Sequence, residues 1–273
     1  MIEKMVIFDW SGTLSPDAIR FAENENLKRE LERSGLSSLG IVTPETFWSE
    51  IVNPAWEEGS TTSVGYTEMI VRRIRAAFSP AVPDNRIRAR AARFVDSYLT
   101  HSSPDGRWRP VLQQLGKDPS VVTMIATDHY AEATGYLLRF LAEMNIPAVP
   151  LEDTPGSTPP FIIANSADLG VHKAHRAFWE TIRNSLGLKA VGRVLIVDDF
   201  GFNEVTGDSY GERRKVEERQ RATLALLEGV FGVPVSCIPF MWERTSDPGT
   251  SDKTLGGLIA RASEQIEAYL SKR

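Results

Sequence analysis

Three short apolar runs that each end in a polar residue constrain the fold of this chain more than any other feature. Residues 5–9 read MVIFD, residues 121–128 read VVTMIATD, and residues 194–199 read VLIVDD. The runs are continuous rather than alternating, which is typical of strands covered on both faces of a parallel sheet. Two weaker runs lie at residues 161–166 and 233–240. Helical patterns separate these segments, so the sequence predicts a doubly wound, Rossmann-like α/β fold with a parallel sheet.

The predicted helices fall into two groups. Those that alternate with strands lie at residues 131–145, 172–187 and 215–232. Four more follow one another between the first two strands, at residues 17–35, 44–52, 63–78 and 84–99. Gly187 and Gly232 stand where C-terminal helix caps are expected. We therefore predict a core formed by residues 1–14 and 108–273, and an inserted all-helical cap domain at residues 15–107.

Composition limits the class of protein and its partners. The chain has 273 residues, a net charge of −5 and a single cysteine, Cys237. The negative charge gives no general attraction to nucleic acid or to anionic membranes. One cysteine cannot form an internal disulfide and is typical of a reducing compartment. The sequence contains no apolar run of about 18 residues, so we expect no membrane-spanning helix. We expect a soluble, cytoplasmic protein that binds neither nucleic acid nor membranes; the sequence carries no signal for its oligomeric state.

Polar residues end all three strong strands. Asp9 follows the first, Thr127 ends the second, and the Asp198–Asp199 pair ends the third. Taken alone, Asp9 would be interpreted as a cap for the turn that follows it. The carboxyl ends of adjacent parallel strands meet in one crevice, however, so we expect these side chains to be neighbours. Three neighbouring carboxylates repel one another unless a cation joins them, and Mg²⁺ prefers oxygen ligands of this kind.

Together these segments resemble the haloacid dehalogenase (HAD) superfamily. Four stretches are similar to the four motifs of that family, in the same order: FDWSGTL at 8–14, VVTMIAT at 121–127, ANSADLGVHKAHRAFW at 164–179, and VLIVDDFGFNE at 194–204. Each motif alone is a weak signal, whereas four in order and in the right structural context are a specific one. The family also places a helical cap after the first motif, where the helical insertion lies here.

The resemblance implies a Mg²⁺-dependent hydrolase, and we expect a phosphatase that acts on a small phosphorylated or otherwise anionic substrate. Asp9 would be the nucleophile and would form a covalent aspartyl intermediate. The metal would be held by Asp9, Asp198, Asp199 and the main-chain carbonyl of Ser11.

The resemblance also implies a set of substrate-binding residues. The Thr127 hydroxyl and the Lys173 ammonium would hold the phosphoryl oxygens. Asp128 and His129, which directly follow Thr127, are further candidates for substrate binding. Without the acidic pair at the third strand, Lys173 would be interpreted as an ordinary solvated lysine at the start of a helix.

Ser11 departs from the pattern of the family, whose phosphatases usually have a second aspartate at this position. That aspartate protonates the leaving group and later activates water, and a serine hydroxyl cannot replace such acid–base catalysis, which is worth about 10²–10⁴-fold. Three alternatives follow. Another group, such as His129 or a cap residue, supplies the proton; or the leaving group needs none, as in cleavage of C–P, C–halogen or acyl-phosphate bonds; or the protein is a catalytically weak binding protein.

Two observations bear on these alternatives. The phosphonate-cleaving branch of the family uses a cap lysine as a Schiff base, and the cap of this chain holds only Lys28. The dehalogenase branch works without a metal, whereas the Asp198–Asp199 pair favours one.

Seven arginines between residues 72 and 93 are interpreted as solvated faces of two helices, with the alternative that one or two of them reach an anionic substrate.

Overall fold

A sheet of six parallel strands lies at the centre of the molecule. The computed structural model describes residues 3–154, 161–187, 191–204, 213–245 and 247–272. The strands are β1 (Lys4–Phe8), β2 (Val121–Thr127), β3 (Ala148–Pro150), β4 (Phe161–Asn165), β5 (Arg193–Asp198) and β6 (Val235–Pro239). Their order in the sheet is β3-β4-β2-β1-β5-β6. The predicted doubly wound parallel sheet is therefore confirmed.

The side chains of β1 explain why its sequence is continuously apolar. Val6 and Phe8 belong to one buried cluster, and Met5 and Ile7 belong to a second cluster. Successive residues of a strand point to opposite faces of a sheet, so both faces of β1 are covered. The short edge strand β3 was not predicted, because it has only three residues and includes Pro150, which cannot donate a ladder hydrogen bond.

The chain between β1 and residue 107 is helical, as expected. Its helices are α1 (Pro16–Ala22), α2 (Asn24–Ser34), α3 (Pro44–Thr46), α4 (Trp56–Ser60), α5 (Tyr66–Phe78) and α6 (Asp84–His101). Short 3₁₀ turns occupy Ser37–Leu39, Asn53–Ala55 and Gly106–Trp108, and a π-helical turn occupies Phe47–Val52. The helix expected at residues 17–35 is broken at Glu23, whose backbone is extended. The boundaries 15–107 for a separate cap domain stay a prediction.

The remaining helices begin with one directly before β2 and continue between and after the later strands of the sheet. They are α7 (Arg109–Leu115), α8 (Glu132–Glu143), α9 (Ser166–Leu169), α10 (Arg176–Ser185), α11 (Arg213–Phe231) and α12 (Pro248–Ser271). Gly187 and Gly232 have positive φ angles of 57° and 69°, which confirms that both helix ends need the left-handed conformation. Helix α12 was not predicted from the sequence. None of the described helices is long and apolar enough to cross a lipid bilayer.

Candidate active site

Three carboxylates lie together where β1 and β5 end. Asp9, Asp198 and Asp199 each offer one oxygen within 4.8 Å of those of the other two. Phe8 is paired with Val197 in the sheet, and the Asp9 amide donates to the Val197 carbonyl at 2.9 Å. This register brings the end of β1 beside the acidic pair. The three residues are only 8%, 6% and 2% exposed.

Among the described residues, Lys173 is the one whose positively charged side chain forms ion pairs with this cluster. Its ammonium lies 2.5 Å from Asp9 Oδ1 and 3.3 Å from Asp198 Oδ2. The Lys173 backbone amide donates to Asp128 Oδ1 at 2.8 Å, which holds the loop in place. Burial alone disfavours the charged ammonium, but the carboxylates of Asp198, Asp9 and Asp128 hold the pKa of Lys173 well above its usual value.

Burial and mutual repulsion perturb the carboxylates as well. Burial raises the pKa of Asp9 to about 7, and the charge of Asp198 adds to the rise while Lys173 opposes it. The pKa of Asp199 is raised well above its usual value, first by burial and then by the charges of Asp9 and Asp198. Both shifts have the sign expected for anions placed together in a region of low dielectric constant.

The donor set fits a divalent cation. Three buried carboxylates face a single ammonium, so the cluster is net negative when all of these groups are ionised. Its ligands are oxygens, which suit a hard ion such as Mg²⁺. Asp9, Asp198 and Asp199 are therefore able to hold the ion, and the main-chain carbonyl of Ser11 stays a predicted fourth ligand.

The turn after β1 is shaped by contacts with the loop after β5. Gly12 has a φ of 79°, and a Cβ added there would lie 2.6 Å from Asp199 Oδ2. Asn203 Nδ2 donates to the Gly12 carbonyl at 2.7 Å, and the Asp199 amide donates to Thr13 Oγ1 at 3.1 Å. Thr13 and Asn203 were not predicted as site residues. They hold the two loops together and so fix the spacing of the carboxylates.

Thr127 ends β2 and Asp128 directly follows it, and the two residues make different contacts. Thr127 is buried and pairs with Asn165 of β4, in the strand next to β1. Its role in substrate binding stays a prediction. The Asp128 carboxylate accepts the Lys173 amide, a contact that orients the lysine loop and that the sequence did not predict.

His129 is buried beneath the cap and is bound at both ring nitrogens. Nδ1 accepts from the Tyr130 amide at 2.9 Å, and Nε2 lies 2.9 Å from the hydroxyl of Tyr98 on α6. Burial lowers the pKa of His129 to about 3. Burial also raises the pKa of Tyr98 to about 12. A residue of α6 that the sequence did not single out thus contacts His129.

Three further contacts hold the cap against the core loops. The Glu132 carboxylate accepts from the Tyr66 amide at 2.7 Å and from the Thr67 amide at 3.1 Å, at the start of α5. The Ser60 hydroxyl lies 2.6 Å from Nε2 of His172, the residue before Lys173. The cap therefore rests directly on the loop that carries the lysine.

The cap arginines bind neighbouring cap groups. Arg72 pairs with Glu58 and Glu68, and Arg88 also pairs with Glu68. Four others donate to cap groups as well: Arg73 to the Glu50 carbonyl, Arg75 to Asp84, Arg90 to Ser38 and Arg93 to the Ser34 carbonyl. These contacts agree with the interpretation of solvated helix faces.

Comparison with known proteins gives structural matches only. No protein-family model matches the sequence, and no curated protein matches it. A 2-haloacid dehalogenase from Pseudomonas syringae pv. tomato aligns with 95% of this chain and 99% of its own, at 17% identity and a TM-score of 0.52. An L-2-haloacid dehalogenase from Xanthobacter autotrophicus aligns over 87% and 94%, at 12% identity and a TM-score of 0.44. A predicted HAD-like family hydrolase from Porphyromonas gingivalis aligns over 87% and 91%, at 12% identity and a TM-score of 0.42.

The first alignment has the highest TM-score of the three and covers nearly all of both chains. The resemblance noted in the sequence is thereby confirmed for the fold: this chain has the haloacid dehalogenase fold.

Proposed function

We propose that the protein is a Mg²⁺-dependent hydrolase that removes a phosphoryl group from a small phosphorylated metabolite. The observation that carries this proposal is the buried cluster of Asp9, Asp198 and Asp199 with Lys173 on one side. A buried group of three carboxylates with one ammonium is costly unless a divalent cation completes it. The positive charge of such a cation and of Lys173 suits phosphoryl transfer, because the transferred group carries several anionic oxygens.

Each residue of the acidic cluster, together with Lys173 and Thr127, has a part in the proposed reaction. Asp9 attacks phosphorus, and the Lys173 ammonium at 2.5 Å holds its carboxylate in one orientation. Thr127 and Lys173 bind the non-bridging oxygens of the phosphoryl group. When bound by the acidic cluster, Mg²⁺ offsets the negative charge of the phosphoryl group. Water then hydrolyses the aspartyl phosphate and restores Asp9.

Two other reactions of the fold are less well supported. A metal-free dehalogenase has no use for a second and third carboxylate beside the nucleophile, whereas Asp198 and Asp199 lie there. A Schiff-base mechanism needs a lysine directed into the site, and Lys28 is exposed on α2. We therefore favour a small phosphorylated or otherwise anionic substrate, and a cytoplasmic location consistent with the single cysteine.

The test compares the wild type with Asp9→Asn on a panel of phosphate esters and acyl phosphates, in Mg²⁺ and in excess chelator. We expect turnover only in the wild type with Mg²⁺, because an amide is a poor nucleophile and removes one metal ligand. Asp17→Asn is the matched control, since Asp17 forms an exposed ion pair on α1 and should leave turnover unchanged. Full activity in chelator, or in Asp9→Asn, would show that this mechanism is wrong.

A further inference from the structure

Ser60, the last residue of α4, is held at two of its polar groups by core segments. Its hydroxyl lies 2.6 Å from His172 Nε2, and its main-chain carbonyl accepts from the Ser166 hydroxyl at 2.6 Å. Ser166 itself accepts from the His129 amide at 3.1 Å. Ser60 and Ser166 are both fully buried. The end of α4 is thus fixed where the segments that follow β2 and β4 meet.

The protons of these hydrogen bonds have a defined direction. The Ser60 hydroxyl donates its single proton to the Trp56 carbonyl, one turn earlier in α4. His172 Nε2 must therefore carry a proton, which it donates to Ser60 Oγ. The Ser166 hydroxyl accepts from the His129 amide and donates to the Ser60 carbonyl. Ser60 is therefore the acceptor in both contacts with the core.

The neighbours of Ser60 in α4 also pack closely on the core. A Cβ added to Gly59 would overlap the Tyr130 ring, so the backbone of α4 can approach this closely only at a residue without a side chain. The Trp56 ring lies parallel to the His172 ring at a centroid distance of 6.2 Å, and it meets the Tyr130 ring edge-on at 5.5 Å. The contact of Ser60 is therefore part of a packed junction between α4 and the core.

His172 connects this junction to Lys173. The peptide unit between the two residues is planar and rigid. Its carbonyl accepts from the His175 amide at 3.0 Å, and its N–H donates to Asp128 at 2.8 Å. The Lys173 ammonium pairs with Asp9. An imidazole ring anchored on Ser60 therefore restrains the backbone from which the ammonium reaches the acidic cluster.

We propose, as an inference that rests on the proposed function, that Ser60 is a positioning residue whose bond to His172 couples the docking of α4 to the placement of the Lys173 ammonium. The Ser60 carbonyl is also linked, through Ser166, to the amide of His129, two residues after Thr127. Ser60 thus lies against both segments that carry the proposed phosphoryl-binding groups. Because coupling between two binding equilibria is reciprocal, phosphate bound at Lys173 and α4 docked on the core stabilise each other.

Contacts within the core set the size of the expected effect. The Lys173 amide is held by Asp128, and the Lys173 carbonyl accepts from Trp179 Nε1 at 2.8 Å. These two bonds persist when the contact with Ser60 is removed. Loss of that contact therefore has the effect of one hydrogen bond, and the lysine keeps its place in the fold.

The kinetic test uses Ser60→Ala and His172→Phe, which remove the bond from its two ends. Phenylalanine keeps an aromatic ring opposite Trp56 but has no donor. We measure kcat and KM on phosphate esters in Mg²⁺, and the Kd of inorganic phosphate by calorimetry. Each variant should lower kcat and weaken phosphate binding by about 3- to 10-fold, as expected for one hydrogen bond. The double variant should be no worse than either single one, because both remove the same bond.

Thr61→Val is the matched control. The Thr61 hydroxyl donates to the Glu57 carbonyl at 2.6 Å, as Ser60 does to the Trp56 carbonyl, and valine keeps its shape. This variant should behave like the wild type. If Ser60→Ala and His172→Phe turn over and bind phosphate as Thr61→Val does, or if their losses add fully in the double variant, the coupling is wrong and the proposed function stands. A wild type that neither hydrolyses phosphate esters nor binds inorganic phosphate overturns both.

A second measurement needs no turnover and separates coupling from a merely structural bond. Mg²⁺ with inorganic phosphate should slow amide hydrogen exchange at residues 56–60 of the wild type and of Thr61→Val. The same addition should leave exchange there nearly unchanged in Ser60→Ala and in His172→Phe. A structural bond alone would change exchange in α4 equally with and without phosphate, and that result would overturn the inference.

Discussion

The ammonium of Lys173 lies 2.5 Å from Asp9 Oδ1, although the two residues are 164 positions apart in the sequence. The same ammonium reaches Asp198 at 3.3 Å, so it neutralises part of the charge of the cluster. Asp128 holds the loop that delivers it. The lysine therefore combines two tasks, which are to balance the carboxylates and to hold the Asp9 carboxylate in place.

Lys173→Gln should inactivate the protein and make its stability depend more strongly on Mg²⁺. The variant leaves three buried carboxylates without their cation, and loss of one partner of a buried pair costs about 3–5 kcal/mol. Thermal unfolding at neutral pH should show a lower midpoint without metal and a larger rise on addition of Mg²⁺ than in the wild type. Lys28→Gln, which changes an exposed lysine of α2, is the control. An active Lys173→Gln protein, no more sensitive to Mg²⁺ than the wild type, would contradict the assignment.

Gly12→Ala should disrupt the site from the backbone. Gly12 has a φ of 79°, and a Cβ there would lie 2.6 Å from Asp199 Oδ2. The left-handed conformation alone costs an L-residue about 1–2 kcal/mol, and the contact with Asp199 adds to that cost. Chemical denaturation should therefore show a loss of more than about 2 kcal/mol, and calorimetry should show weaker Mg²⁺ binding. Gly135→Ala in α8, where a Cβ meets nothing within 4 Å, should be neutral or stabilising.

His129 should make the protein sensitive to acid. Its pKa is about 3 in the folded state and near 6.5 in the unfolded chain, which therefore binds the proton first as the pH falls. The stability contributed by the neutral ring is complete above pH 6.5 and decreases toward pH 3, by about 2 kcal/mol at pH 5. Urea unfolding at pH 7 and pH 5 should show that His129→Gln loses less stability between the two values. His175→Gln, at an exposed position, should lose as much as the wild type.

Ser11→Asp should restore the acid that this chain lacks. On aryl phosphates with poor leaving groups we expect a gain of about tenfold in kcat, with little change on good leaving groups, because general acid catalysis matters most when departure is difficult. The added charge also raises the pKa of Asp9 and repels the phosphoryl group, which limits the gain. Ser11→Asn has nearly the same shape without an acid and is the control. An equal gain in both variants, or a loss on every substrate, would show that the lack of a proton donor at position 11 does not limit the rate of the wild type.

The sequence by itself determined five of the six described strands and the identity of the carboxylates at their ends. β1 and β5 are short, continuous apolar runs because both faces of each strand are covered, and that pattern is local. Asp9 and the Asp198–Asp199 pair could be placed together because parallel strands end at one edge of a sheet. The helix ends at Gly187 and Gly232 could likewise be predicted from the sequence, since a left-handed backbone favours glycine.

Only the tertiary structure decided what surrounds those carboxylates. The Tyr98 hydroxyl reaches His129 from a helix whose sequence shows only an amphipathic pattern, and the contact spans 31 positions. Asn203 reaches Gly12 across 191 positions, and Asp128 orients the Lys173 loop through a backbone amide. Such contacts depend on how separate elements pack, and hydrogen-bond partners far apart in the chain leave no periodic signal in the sequence. The unusual residue at position 11 was visible in the sequence, whereas the contact of Tyr98 with His129 became known only from the packing of α6 against the core.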